Sequence, residues 1–368
     1  MAVSKQSLLD AIEKIQVPGL SGSLLTLRML SELDVTADAV RLVLVSPDPA
    51  YAHAEPLIAS LRQRLEPLSG GLSVDISWRA PVATRSIGAD DPVPGAKNIV
   101  LVMSGKGGVG KSTVATNLAL ALSRAGYRVG LLDADIYGPS IPTMLGVTGR
   151  PTTDGTRIHP LERFGVKLMS IGFLLDDPSS AVVWRGPMLQ SALLQFLKDV
   201  DWGELDFLLL DMPPGTGDVA LTLSQKVRST GAIVVTTPQE VALQDVYKSV
   251  SMAHKVGIPI LGVVENESYF VCDGCTKKHE IFGSGGGAKV AALAKAPLLG
   301  QIPLDTAVRQ AGDGGIPVVQ SAPGSEIAKA FVAVADRLVT IVNQIAPASS
   351  TVQIDRSGGV NRHLPISR

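Results

Sequence analysis

The stretch that most constrains this chain is Asn98–Thr116, NIVLVMSGKGGVGKSTVAT, where an apolar run feeds a glycine-dense turn and then a helix-forming segment. Gly105, Gly110, Lys111 and Ser112 stand at the spacing G-x-x-x-x-G-K-[ST]. Asn98–Met103 predicts a buried strand just before them, the context that a phosphate-binding loop needs. Glycines let successive backbone N–H groups turn inward as a nest for phosphate oxygens, where a Cβ would obstruct. A helix opening near Lys111 aims the positive end of its dipole at the same anion. Lys111 is then placed to reach the terminal phosphates of a nucleotide, and Ser112 to offer its hydroxyl to Mg²⁺. The expected nucleotide-binding set is Gly105, Lys106, Gly107, Gly108, Val109, Gly110, Lys111, Ser112 and Thr113.

Such a loop requires a sheet behind it. Val129–Asp133, Val166–Ile171, Phe207–Asp211, Ala232–Thr236, Ile260–Val264 and Leu298–Ile302 are short runs rich in Val, Leu and Ile, suited to a parallel sheet covered on both faces. Helical segments alternate with them at Val114–Arg124, Pro187–Lys198 and Val241–Lys255, and Ser325–Val342 predicts a long closing helix. The expected fold class is α/β, a doubly wound, mostly parallel sheet with its ligand site at the carboxyl edge.

Ahead of this lies a small α+β domain, residues 1–80. A helix over Ser7–Ile15 is ended by Val17-Pro18-Gly19, and strand-like runs follow at Ser23–Leu30, Ala39–Val45 and Leu72–Trp78 with a helix at Ala52–Leu65. Residues 81–97 carry three prolines from Pro81 to Ala96 and little periodicity, and predict a linker. Residues 98–346 form the nucleotide domain, and the polar tail 347–368 is expected to be disordered. A hydrophobic share of 45% supports a sizeable core, and a net charge of −1 gives no electrostatic footprint for nucleic acid or an acidic membrane. No apolar run reaches the length of a spanning helix, so the chain is expected to be cytoplasmic with no membrane partner.

Acids stand at two strand ends. LLDADIYG carries Asp133 and Asp135, and LLLDMPPGTGD carries Asp211, with Gly215 and Gly217 behind it. A carboxylate at a strand end can hold Mg²⁺, directly or through water, or orient an attacking water, and can equally just form a turn. The two glycines suit a segment that approaches the γ-phosphate and rearranges when it leaves. Asn266 closes the run VVEN, and its amide can donate and accept at once.

The only two cysteines, Cys272 and Cys275, form one C-x-x-C. Two thiolates are half of what zinc or an iron–sulfur cluster takes. A second copy across a homodimer axis would supply the rest. The competing readings are a redox pair, free thiols, or zinc, held across a dimer or completed within one chain by His279 with Asp273 or Glu280.

The ordered set GKGGVGKS, DADIYGPSIPTMLG, WRGPM, DMPPGTGD, TTPQE, VVEN and SYFVC-x-x-C…IFG resembles the Mrp/ApbC family of iron–sulfur cluster carrier P-loop ATPases, from Asn98 to about Val342. The resemblance implies a homodimer that binds and hydrolyses ATP with Mg²⁺, carries a labile bridging [4Fe–4S] cluster on Cys272 and Cys275, and hands it to apo-proteins. Lys106 resembles the second lysine of the deviant loop of the MinD and nitrogenase-iron-protein class, which crosses a dimer to the partner's nucleotide. By the same resemblance Asp135 positions water, Asp133 is a supporting acid near the metal, Asp211 is the acid on Mg²⁺, and Asn266 reads the adenine edge. Lys106, Lys111, Asp135 and Asp211 are thus the expected catalytic residues. Trp184–Met188 matches a family block without an implied role. Residues 1–80 resemble the small N-terminal domain of Mrp-type ATPases, but Val17-Pro18-Gly19 replaces the usual acidic Asp-Pro-Glu, so no functional residue carries over. Glu267 stands where relatives commonly have methionine, which leaves the thiol ligands untouched.

The alternative is a MinD- or ParA-like positioning ATPase whose C-x-x-C holds structural zinc at the dimer interface. Its output would need a basic amphipathic tail or a basic surface, and residues 347–368 offer neither. A nitrogenase-reductase-like electron donor would draw its ligands from well-separated cysteines, unlike this pair.

Overall fold

A computed structural model describes residues 4–27, 29–36, 38–47, 51–135, 138–174, 186–215, 226–272 and 274–345. Gly217, Trp184, Arg185, Asp273 and the tail 347–368 lie outside the described residues. The chain divides into two compact units, with the boundary between Pro81 and Val82.

In the first unit α1 (Lys5–Glu13) and α2 (Ala54–Leu65) cover a three-stranded sheet of β1 (Leu30–Val35), β2 (Ala39–Val45) and β3 (Ser73–Arg79). β1 pairs antiparallel and β3 parallel with β2. Leu8 and Ile12 of α1 and Leu57, Leu61 and Leu65 of α2 repeat at helical spacing and are fully buried with Val40, Leu42 and Leu44. One expectation fails: Ser23–Leu30 is not a strand, and β1 starts only at Leu30. Ser23 Oγ accepts from Thr26 N, and Thr26 Oγ1 accepts from Ser23 N at 2.8 Å. These hydroxyls offer the backbone a turn that outcompetes a ladder.

The second unit holds an eight-stranded sheet in the order β15-β12-β11-β4-β10-β5-β9-β8. Its members are β4 (Ile99–Ser104), β5 (Val129–Asp133), β8 (Leu161–Arg163), β9 (Val166–Ser170), β10 (Phe207–Asp211), β11 (Gly231–Thr236), β12 (Ile260–Glu265) and β15 (Leu298–Gln301); β6 (Thr152–Thr153) pairs apart with β7 (Ile158–His159), and β13 (Phe270–Val271) with β14 (Lys278–His279). Every pairing in the large sheet is parallel except β8 with β9. β4, β5, β10 and β11 are buried along their whole length, which explains their unbroken apolar runs. β8 escaped the sequence reading because Phe164 and Gly165, at φ 52° and 73°, close a two-residue hairpin without the usual Asn-Gly signal.

β4 lies between β10 and β11, and β5 is the next strand beyond β10. The carboxyl ends of β4, β10 and β5 therefore converge, with Asp211 directly opposite Asp133 in register. α3 (Lys111–Arg124) follows the loop after β4 and buries Val114, Leu118 and Leu122 against the sheet.

The segment expected to link the domains packs instead on the second unit from Val82 onward. The Arg85 guanidinium is buried, paired with Asp91 through both of its terminal nitrogens and bonded to the carbonyls of Val93, Ala96 and Arg228. Prolines removed periodicity from the segment but not its contacts. Among the described residues no helix is long and apolar enough to cross a membrane.

Candidate nucleotide site and cysteine hairpin

Gly108 and Gly110 take φ of 80° and 78°, the left-handed region where a Cβ is strained, and this turns the loop between β4 and α3. Gly105 is fixed by a neighbour instead. A Cβ there would stand 2.2 Å from the backbone nitrogen of Val246 in the helix Glu240–Lys255, so only glycine lets the two backbones meet. Gly107 and Gly108 face open space. The loop bounds a cavity of about 250 Å³ lined also by Lys106, Lys111, Ser112, Thr113, Asp135 and Pro214.

Register brings the acids to this cavity. Lys111 Nζ lies 2.7 Å from Asp211 Oδ1 and 3.4 Å from Asp135 Oδ2, and Ser112 Oγ donates to Asp211 Oδ2 at 2.6 Å. Among the described residues Oδ1 of Asp135 is buried with no hydrogen-bond partner. Burial pushes the Asp211 carboxyl above the ordinary range, and the Lys111 ammonium opposes that shift.

Asp133 behaves differently. Its carboxylate accepts from Asp135 N at 3.2 Å, Ile141 N at 3.4 Å and Ser170 Oγ at 3.0 Å, and its side chain is wholly buried. Burial, with the nearby Asp211 charge adding to it, pushes this carboxyl up to about 8. This carboxyl braces the backbone at the β5 exit, in register with Asp211.

Asn266 is 6% exposed, and its Nδ2 donates to the Val109 carbonyl at 3.0 Å. A Cβ on Gly110 would lie 2.1 Å from that nitrogen. Gly215 closes the far side, with φ 90° and its N–H donating to Ser104 O at 3.0 Å. Lys106 lines the cavity of its own chain.

β13 and β14 form the hairpin that carries the thiols. Phe270 pairs with His279, and Thr276 N donates to Cys272 O at 2.7 Å across the turn, with Thr276 at φ 58°. Cys272 is half-buried, Cys275 is exposed, and neither is in a disulfide. Val271 and Ile281 flank them at 43% and 55% exposure, large for apolar side chains. Among the described residues no three His, Cys, Asp or Glu side chains, His279 and Glu280 included, cluster as a metal site.

The sequence reading missed Glu265, wholly buried at the end of β12. It accepts from Ser268 Oγ at 2.5 Å, Gln301 Nε2 at 2.8 Å and the N–H of Gly287 at the start of the helix Gly286–Ala294. The signal was available: an acid closing an apolar strand, the pattern that marked Asp133 and Asp211. Next to it Glu267 adopts φ 52°, and burial raises its carboxyl.

A family model described as "ParA: NUBPL iron-transfer P-loop NTPase" matches residues 95–339. The chain belongs to this family. An iron-sulfur cluster carrier protein of Aquifex aeolicus is 56% identical over 252 residues, 68% of this chain and 69% of that protein. Another iron-sulfur cluster carrier protein, from Synechocystis, is 42% identical over 351 residues, 94% of this chain and 99% of its own length. Among solved structures, the nucleotide-binding protein of Archaeoglobus fulgidus in complex with ADP superposes with a TM-score of 0.54 at 40% identity, covering 60% of this chain and 87% of that one. The α/β fold and the resemblance drawn from the ordered motifs are borne out. The chain is a P-loop NTPase of the iron-transfer family.

Proposed function

We propose that the chain is an ATP-hydrolysing carrier that takes up an iron–sulfur cluster on Cys272 and Cys275 and delivers it to apo-proteins. One observation carries this reading: the only two thiols of the chain sit together on an exposed hairpin rooted two strands from the phosphate loop. Two soft thiolates bind iron but leave its coordination half filled. A second copy presenting the same hairpin supplies the other two, so the carrier is a homodimer with a shared [4Fe–4S] cluster between exposed apolar flanks. Cysteines outside any disulfide suit a reducing compartment such as the cytoplasm.

ATP is the substrate of the loop. The N–H groups at Gly107 to Ser112 bind its phosphates, and Lys111 exchanges its pairing with Asp211 and Asp135 for the phosphate charge. Ser112 and Asp211 fit Mg²⁺, as hard oxygen donors already in contact beside Asp135, whose Oδ1 has no partner among the described residues. When bound, Mg²⁺ neutralises charge developing on the phosphates. Asp135 holds the attacking water by hydrogen bond, and Lys106 reaches the nucleotide of the second copy. Asp133 keeps Asp135 aimed through the latter's backbone N–H.

The test crosses the two halves. Lys111→Ala is expected to lower ATP hydrolysis at least about a hundredfold, as loss of a preorganised charge does, while keeping iron and acid-labile sulfide after anaerobic reconstitution. Cys272→Ser with Cys275→Ser is expected to lose both and keep ATP binding. Full iron content in the double serine chain, or zinc in the parent in place of iron, contradicts the carrier.

A further inference from the structure

A side chain fastens the segment joining β12 to the cysteine hairpin to the phosphate loop. Asn266 donates from Nδ2 to the carbonyl of Val109, between the left-handed Gly108 and Gly110. That carbonyl belongs to the same planar peptide unit as the N–H of Gly110, so a hydrogen bond on the oxygen sets the direction of the N–H. An N–H that donates to phosphate polarises its peptide and strengthens the bond on the carbonyl side. The contact is therefore one whose strength depends on occupancy of the loop.

The other end of Asn266 is held rigidly. Its own N–H donates to Thr236 O at 2.7 Å, Ser268 N donates to Ile302 O at 2.9 Å, and Leu304 N donates to Tyr269 O at 2.7 Å. Glu265 ties Ser268, Gln301 and Gly287 together beneath them. Phe270 starts the hairpin directly after this bracket, and Cys272 follows two residues later.

We propose that Asn266 is a positioning residue that ties nucleotide occupancy of the phosphate loop to the geometry of the Cys272–Cys275 hairpin, through the Val109 carbonyl on one side and the Glu265 bracket on the other. This rests on reading the loop as the ATP site and the hairpin as the cluster site. It gives Asn266 a part in coupling the two, and a distortion of the bracket reaches the thiols without either site touching the other.

Amide hydrogen exchange on the cluster-free full-length chain reads the coupling directly, at ATP concentrations that fill the loop in each variant by a separate binding assay. In the parent, ATP is expected to slow exchange across residues 270–279 by about fivefold, the factor that one hydrogen bond is worth. Asn266→Ala, and the nearly isosteric Asn266→Asp that puts an acceptor against the Val109 carbonyl, are expected to lose this difference. Thr156→Ala removes a bond in the turn between β6 and β7 and none in the bracket or the loop, and is expected to keep it. A parent-like ATP effect at 270–279 in either soluble Asn266 variant overturns the proposal, as does equal loss in Thr156→Ala. The readout needs no iron, so failure of the cluster reading leaves it intact. A parent chain that binds ATP without any change at 270–279 overturns the coupling alone.

Discussion

The phosphate loop and the cysteine hairpin solve opposite problems. The loop is set by its surroundings: Gly105 against Val246, Gly110 against Asn266, and Lys111 between two carboxylates whose strands lie in register. The hairpin has two strands of two residues each, an exposed Cys275 and apolar flanks open to solvent. The loop is preorganised for an anion by residues of its own chain. In the proposed carrier the hairpin supplies two ligands of a set that takes about four, and a second copy supplies the rest. A carrier needs this division, because a cargo held as tightly as the phosphates could not be handed on.

The largest expected effect breaks the comparison on its rigid side. Gly105→Ala forces a Cβ onto the backbone of Val246, and overpacking of this kind costs about 1–3 kcal/mol or more where backbone must move. Gly107→Ala meets no atom within 4 Å and is expected to leave thermal stability unchanged. Melting curves of the two variants separate a loop set by neighbours from one that is merely glycine-rich; equal losses would contradict the packing argument.

A smaller effect concerns Asp133. Its carboxyl is pushed up in the fold to about 8 against an ordinary 3.8 in the unfolded chain, because burial and Asp211 disfavour its charge. The unfolded chain therefore ionises first as pH rises. This group's contribution to stability is full below about pH 4 and falls until about pH 8. Melting temperature of the nucleotide-free chain, followed from pH 5 to 8, should fall, and Asp133→Asn should flatten that part of the slope. An unchanged slope would show that Asp133 is ionised in the fold.

Much of the rigid side was legible in the sequence because it is local. The strand, glycine turn and helix of Asn98–Thr116 are contiguous, and strands β2, β5 and β10 appear with the bounds their apolar runs predict. The acids needed one more fact, the strand order that sets Asp211 opposite Asp133, and the sequence does not print strand order. The contact of Asn266 with Val109 was hidden for the same reason, since β12 is separated from β4 by β11 and the reach exists only in the folded sheet. The Ser23–Thr26 turn and the packed Arg85 segment were missed because hydroxyl-to-backbone bonds and a buried ion pair override apolar periodicity and proline content.

The account's central claim is that the hairpin is half of a coordination site which a second copy completes. Anaerobic native mass spectrometry of the reconstituted protein weighs the cluster and the chains that hold it together. The account predicts iron and sulfide on a species of two chains, one cluster per pair, and bare single chains. An intact cluster on a single chain would contradict it.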